Sequence, residues 1–230
     1  MTRALEATPP AKLYIGCGLH PVEGWINIDK SLGPFFARHP FLKRAAYFAR
    51  LLSRQQYDLQ WSTQIWRHDV RKGLPLDDES VDAIACDAVI AYMSASEAHA
   101  FLGQCHRILR PRGHIRIRVW DLEQRVHAYL ADKEEGRVDA ADRLATNMKL
   151  GRDARGPFPY RLFYRTISYF DHAPNRWAYD FDSLASRLSA IGFEEIQRVG
   201  NDSGKLRGVM AIRPNSPWPL IIEAVRSQLR

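Results

Sequence analysis

Two glycines and an aspartate stand where short apolar runs end. Lys12 to Ile15 runs into Gly16-Cys17-Gly18, and Trp25 to Ile28 ends on Asp29. Glycines after a strand let a ligand approach backbone amides that a side chain would shield. A carboxylate at the next strand end can accept both hydroxyls of a ribose. Nicotinamide dinucleotide enzymes use the same pair with a fuller glycine fingerprint, which seats a pyrophosphate on a helix terminus. Here a third glycine is missing and the acid comes too soon, so a nucleoside without a pyrophosphate fits better. GxG by itself is a tight turn in many folds, and its weight comes from Asp29 following it.

The elements that must position these residues read as α/β. The two runs look like buried parallel strands. Only Leu19 to Gly24 lies between them, so the first crossover must be abbreviated. Ile65 to Arg67, Val81 to Val89 and His114 to Trp120 read as further strands, with Asp121 at the end of the last. Ser96 to Leu109 has helical spacing and should stop before Pro111-Arg112-Gly113. Leu122 to Leu130 reads as a helix, and Phe181 to Ile191 as another, starting near Asp180 or Asp182 and capped by Gly192. Glu194 to Val199 and Leu220 to Val225 fit a final antiparallel pair. The expectation is a doubly wound, Rossmann-like, mostly parallel sheet with an antiparallel terminal strand, forming a single domain over 1–230.

Two segments fit less easily into that frame. Between Ser31 and Trp66 the aromatic and arginine-rich chain suggests one or two amphipathic helices, which either cover the sheet or cap a pocket, with the sheet-covering role favoured. From Met148 to Tyr179 many rings, including Tyr160, Tyr164, Tyr169, Trp177 and Tyr179, gather among glycines and prolines. A long aromatic connection in a compact enzyme suits a binding loop. Cap or lid elements are therefore expected at about 31–66 and 146–179.

Composition narrows the classes. The 230 residues have 46% hydrophobic and 26% charged content, ordinary for a globular chain. A net charge of +7 suits an anionic substrate. The arginines are scattered and no lysine-rich tail appears, which argues against nucleic acid as a partner. Three cysteines, Cys17, Cys86 and Cys105, form no CxxC, so neither structural zinc nor a disulfide framework is expected. With no apolar run fit for a signal peptide or a span, a cytoplasmic protein without a membrane partner is the expectation. A homodimer is compatible with the sequence.

The segments KLYIGCGLHPVEGWINID (12–29), HDVRKGLPLDDESVDAI (68–84), HRILRPRGHIRIRVWDLE (106–123) and NRWAYDFDSLASRLSAIGF (175–193) occur in order. Together they resemble the class I S-adenosylmethionine-dependent methyltransferases, in particular a small-molecule methyltransferase-like subgroup with an IGCG...PGW.N.D opening. The resemblance implies S-adenosylmethionine as cofactor and transfer of its methyl group to an O or N atom of a small molecule. It places the Gly16-Cys17-Gly18 turn at the amino acid portion, Asp29 on the ribose, and Asp69 with the Val70 amide on the adenine. Cys86 and Asp87 would lie beneath the methionine portion. Taken alone, Asp69 would read as a loop or helix-capping carboxylate.

Two departures from that pattern bear on mechanism. Where many relatives read HVLEH, this chain has Ala88-Val89-Ile90-Ala91-Tyr92, and Asn175 replaces a histidine that precedes Arg-Trp or Lys-Trp. Because the sulfonium carbon is already activated, alignment and water exclusion can supply most of the catalysis. An oxygen nucleophile still needs its proton removed, and His172, Tyr164, Tyr92 and Asp121 are the candidates. His172 leads because an imidazole titrates near pH 6.5; a structural loop histidine is the competing role. Alternatives are intramolecular cyclisation of the cofactor with release of methylthioadenosine, and a noncatalytic partner protein that retains the cofactor fold.

Overall fold

A computed structural model describes residues 11–150, 175–210 and 219–228. Its strands are β1 (Ala11–Ile15), β2 (Ile26–Asp29), β3 (Trp66–Arg67), β4 (Val81–Asp87), β5 (Leu109–Trp120), β6 (Phe193–Arg198) and β7 (Pro219–Arg226). They form one sheet in the order β3-β2-β1-β4-β5-β7-β6. Pairing from β3 through β5 is parallel, and β7 runs antiparallel to both β5 and β6. This is the expected Rossmann-like sheet. Strand order reverses between β1 and β4, which opens a crevice at their carboxyl ends.

The helices are α1 (Gly33–Arg38), α2 (Pro40–Phe48), α3 (Arg54–Asp58), α4 (Ala95–Ile108), α5 (Leu122–Glu134), α6 (Ala140–Asn147) and α7 (Phe181–Ile191). No helix lies between β1 and β2, in agreement with the abbreviated crossover. The 31–66 segment holds three short helices where one or two were expected. Pro34 and Pro40 each sit in a first turn, where a missing N–H costs nothing, so each proline starts a new helix. Helix α4 stops at Ile108, before Pro111 as expected, but β5 begins at once at Leu109 rather than at His114. Arg112 takes a positive φ of 64° there, and the β4 register shifts between Val81 and Ala83.

One sheet face is apolar. Leu13, Ile15, Ile84, Cys86, Ile115, Ile117, Val119 and Ile222 pack with Phe101, Leu102 and Cys105 of α4 and Leu184 and Leu188 of α7. Both helices start with reciprocal caps, from Ser94 with Glu97 and from Asp180 with Ser183. Such a cap contributes about 1 kcal/mol, so it sets the boundary while the buried face supplies most of the stability. Gly192, at φ 109°, ends α7 as expected.

The opposite face is unusual in carrying buried charge. Tyr14, Cys17, Ala85, Val209 and Met210 form a small apolar cluster there. Beside it, Arg116 pairs with Glu223 at 2.7 Å and Arg118 with Asp87 at 2.6 Å, all four side chains being buried. Arg116 also donates to the carbonyls of Gly200, Asn201 and Ser203, and Glu223 accepts from the Lys205 and Leu206 amides. The two ions thus organise the coil 199–210 over this face. Desolvating a charge costs several kcal/mol, and such dense hydrogen bonding is what offsets it.

Candidate functional site

A cavity of about 280 Å³ opens at the carboxyl ends of β1 to β4. Gly16 and Gly18, Asp29, Asp69 with Val70, and Asp87 all contribute to its wall. The roof comes from Leu32, Phe36, Lys43, Leu52, Leu59 and Trp61, so this segment encloses the cavity. Helix α2 has no buried residue, and Phe41 and Phe48 are 80% and 69% exposed. The sheet-covering role favoured for this segment therefore does not describe α2.

The floor is held by specific contacts. Gly16 has φ +78° and its N–H donates to Ile28 O at 2.8 Å; a Cβ there would stand 2.5 Å from Asp87 O and 2.6 Å from Val89 Cγ2. Only glycine permits that approach of the β1 and β4 ends. Asp29 accepts from the Gly18 amide through Oδ2 and from the Ser31 amide through Oδ1, both at 2.9 Å. Its carboxylate therefore fixes the turn after β1 as well as facing the cavity. Ser31 Oγ, also at the cavity wall, is buried with no hydrogen-bond partner.

Asp69 does two local jobs. It caps the turn Val70–Lys72 by accepting from the Arg71 amide, and it pairs with the Arg71 guanidinium at 2.5 Å. Arg71 holds its carboxyl below the usual range, with partial burial opposing. The capping role weighed from sequence is realised, and Asp69 and Val70 still line the cavity. Asp87 accepts from Arg118 Nε at 2.9 Å and Tyr14 OH at 3.3 Å, which ties its side chain to the charged face.

Other expected residues lie elsewhere. Cys86 and Cys17 are fully buried and neither is in the cavity wall. Strand alternation explains Cys86: its neighbour Asp87 reaches the charged face, so Cys86 must face the core. Burial pushes its thiol up to about 12, so it stays neutral. Asp121 is also outside the cavity wall: it caps α5 through Glu123 N and pairs with Arg198 at 3.3 Å. Tyr92 does line the cavity, with Lys30 Nζ 6.0 Å from its ring centroid. His172 and Tyr164, like Tyr160 and Tyr169, lie outside the described residues. Of the remaining rings, Tyr179 is 1% exposed in the core and Trp177 is 43% exposed.

The sequence reading missed Ser31, Lys43 and Trp61 in the wall and Arg118 behind Asp87. The aromatic and basic character of 31–66 was a signal for the roof. Nothing local flags Arg118, whose partner is 31 residues away in sequence.

These features define the class: an α/β fold with a cavity at the topological switch point. A family model described as "Methyltransferase domain" matches residues 40–117. No curated protein matches the chain. A methyltransferase solved in complex with the Trm112 activator, from Haloferax volcanii, is 14% identical with a TM-score of 0.48, over 99% of this chain and 86% of that one. A SAM-dependent methyltransferase from Methanosarcina mazei is also 14% identical, at 0.48, over 96% and 95%. One from Archaeoglobus fulgidus is 11% identical, at 0.43, over 96% and 88%. Those likenesses are too distant to assign an activity. The family-model match covers about a third of the chain and shows a likeness to a methyltransferase domain over residues 40–117.

Proposed function

We propose that the cavity holds S-adenosylmethionine and that the chain transfers its methyl group to an O or N atom of a small molecule. The observation that carries this reading is the convergence of Gly16, Asp29 and Asp69 on one enclosed cavity at successive strand ends. The residues fit the cofactor. Asp29 retains lone pairs for the ribose hydroxyls after accepting two amides, and the buried, unpartnered Ser31 Oγ beside it suits a polar ligand atom. Ile28, Leu52 and Val70 offer apolar wall for a purine, and Asp69 would take its amino group while remaining paired with Arg71. Lacking a long run of exposed amides at a helix start, this turn suits a sulfonium nucleoside better than a pyrophosphate.

When bound, the cofactor supplies an activated methyl carbon. The chain's part is alignment, exclusion of water and handling of the acceptor's proton. The short helices over 31–66 act as the cap of a single domain; most of the second expected cap, at 146–179, lies outside the described residues. Among the described candidates we assign contact with the acceptor to Tyr92, and its place in the cavity wall supports this. Ala88 itself has φ 59°, an uncommon conformation for a residue with a Cβ, at the place where the reacting groups would meet.

Calorimetry with S-adenosylmethionine and its demethylated product tests the binding. Product analysis after adding candidate acceptors tests the chemistry: S-adenosylhomocysteine formed only with acceptor supports methyl transfer. Methylthioadenosine released from S-adenosylmethionine alone would assign cyclisation instead, and absence of binding by either nucleoside would overturn the reading.

A further inference from the structure

Trp120 ends β5 on the face that carries Arg116 and Arg118, and α5 begins immediately after it. Arg125, one turn into α5, is 3% exposed, and its guanidinium lies 4.6 Å from the Trp120 ring centroid. Its Nε and Nη1 are buried without a hydrogen-bond partner, and so is Trp120 Nε1. Lys149 Nζ approaches the same indole at 5.2 Å. Two cations thus share one ring. Asp121 is the acid in the same turn, but its oxygens are taken up by Glu123 N, Gln124 Nε2 and Arg198.

A buried guanidinium with unused donors is costly and normally finds an oxygen partner. Burial lowers the Arg125 pKa, with Asp121 acting against it. Backbone hydrogen bonds connect the neighbourhood of this cluster with the cavity wall. Ala88, in the cavity wall, donates its N–H to Arg118 O at 2.8 Å, two residues before Trp120. Ala91, beside Tyr92, accepts from the Arg176 and Trp177 amides, and the adjoining Asn175 amide donates to Lys149 O.

We propose that Arg125 and Trp120 form a seat for an anionic oxygen group of the acceptor, a carboxylate or a phosphate, with Lys149 adding positive charge. This rests on the small-molecule reading above and specifies its substrate class. The planar guanidinium can give two parallel N–H bonds to either group, and the indole N–H a third. The net charge of +7 favours the approach of such an acceptor.

The test titrates the full chain with inorganic phosphate and, separately, with benzoate, at constant ionic strength. Tryptophan emission is followed for the wild type, Arg125→Met, Arg125→Lys and Trp120→Phe. The expected result is a saturable response to one of the two anions, which tells phosphate from carboxylate. It should weaken about tenfold or more in Arg125→Met and less in Arg125→Lys. Trp120→Phe keeps the ring but loses the N–H, so a calorimetric titration of that variant should also show weaker anion binding. Should Arg125→Met fail to fold, the other two variants carry the comparison. No saturable response to either anion in the wild type, or an equal response in the Arg125 variants, would overturn the seat. S-adenosylmethionine affinity is measured in parallel. If it is absent while the anion response follows Arg125, the seat is supported and the cofactor reading fails.

Discussion

Replacing Asp29 by Asn is the sharpest perturbation of the proposed cofactor site. The carboxylate accepts the Gly18 amide on one oxygen and the Ser31 amide on the other, each at 2.9 Å. An asparagine amide keeps one acceptor and turns its NH₂ toward the other N–H, so one donor loses its partner. Bonds to an ionised acceptor contribute about 1.5–3 kcal/mol each. Asp29 is half-buried, so water recovers part of the loss and a cost of about 1–2 kcal/mol in the free protein follows. Ligand binding should suffer more. A ribose diol bound to a carboxylate loses charge assistance on both hydroxyls, about 2–4 kcal/mol in total, or roughly 30- to 1,000-fold in Kd. Calorimetry with S-adenosylhomocysteine gives the affinity and thermal unfolding gives the stability. An Asp29→Asn protein that binds within about twofold of wild type while folding normally would refute the assignment of Asp29 to the ribose.

Arg118→Met and Asp87→Asn should each destabilise the fold by about 3–5 kcal/mol, because each leaves a buried charge without its partner; urea denaturation measures this, and a loss under about 1 kcal/mol would mean that water reaches the pair. Cys86 and Cys105 are buried with thiols raised by desolvation, so at pH 8 neither should react with a disulfide reagent in the native protein; mass spectrometry showing labelling of either one faster than unfolding would contradict their placement. Asp69 has a folded pKa depressed chiefly by Arg71, so its stabilising contribution is present at neutral pH and lost as the pH falls from about 4 through the folded value. Asp69→Asn should remove that part of the acid dependence, as read from unfolding free energies between about pH 3 and 7; an unchanged acid profile would count against the Asp69–Arg71 pair.

Patterns confined to a few neighbouring residues were legible in the sequence. Apolar runs stopping at Gly16 and Asp29, the helical spacing of α4, Asp180 and Gly192 around α7, and the antiparallel end of the sheet all depend on local periodicity and turn chemistry. Pro111 marked the end of α4 correctly, but the start of β5 already at Leu109 depended on β4 lying alongside. The roles of Asp121 and Cys86 were likewise beyond local pattern: each stands at or near a strand end, and which way its side chain turns follows from packing on both faces.

Asp29 shows the division most clearly. Its type and its place after Trp25 to Ile28 were enough to expect a carboxylate beside a glycine turn at a nucleoside site, since strand ends and turns are local facts. That this carboxylate also clamps the Gly18 and Ser31 amides, that 31–61 folds over it as a roof, and that Arg118 secures Asp87 from behind were decided by tertiary structure. Those contacts join strands and helices far apart in the chain. Buried charges such as Arg116, Arg118 and Glu223 become tolerable only once the fold supplies all their partners at once.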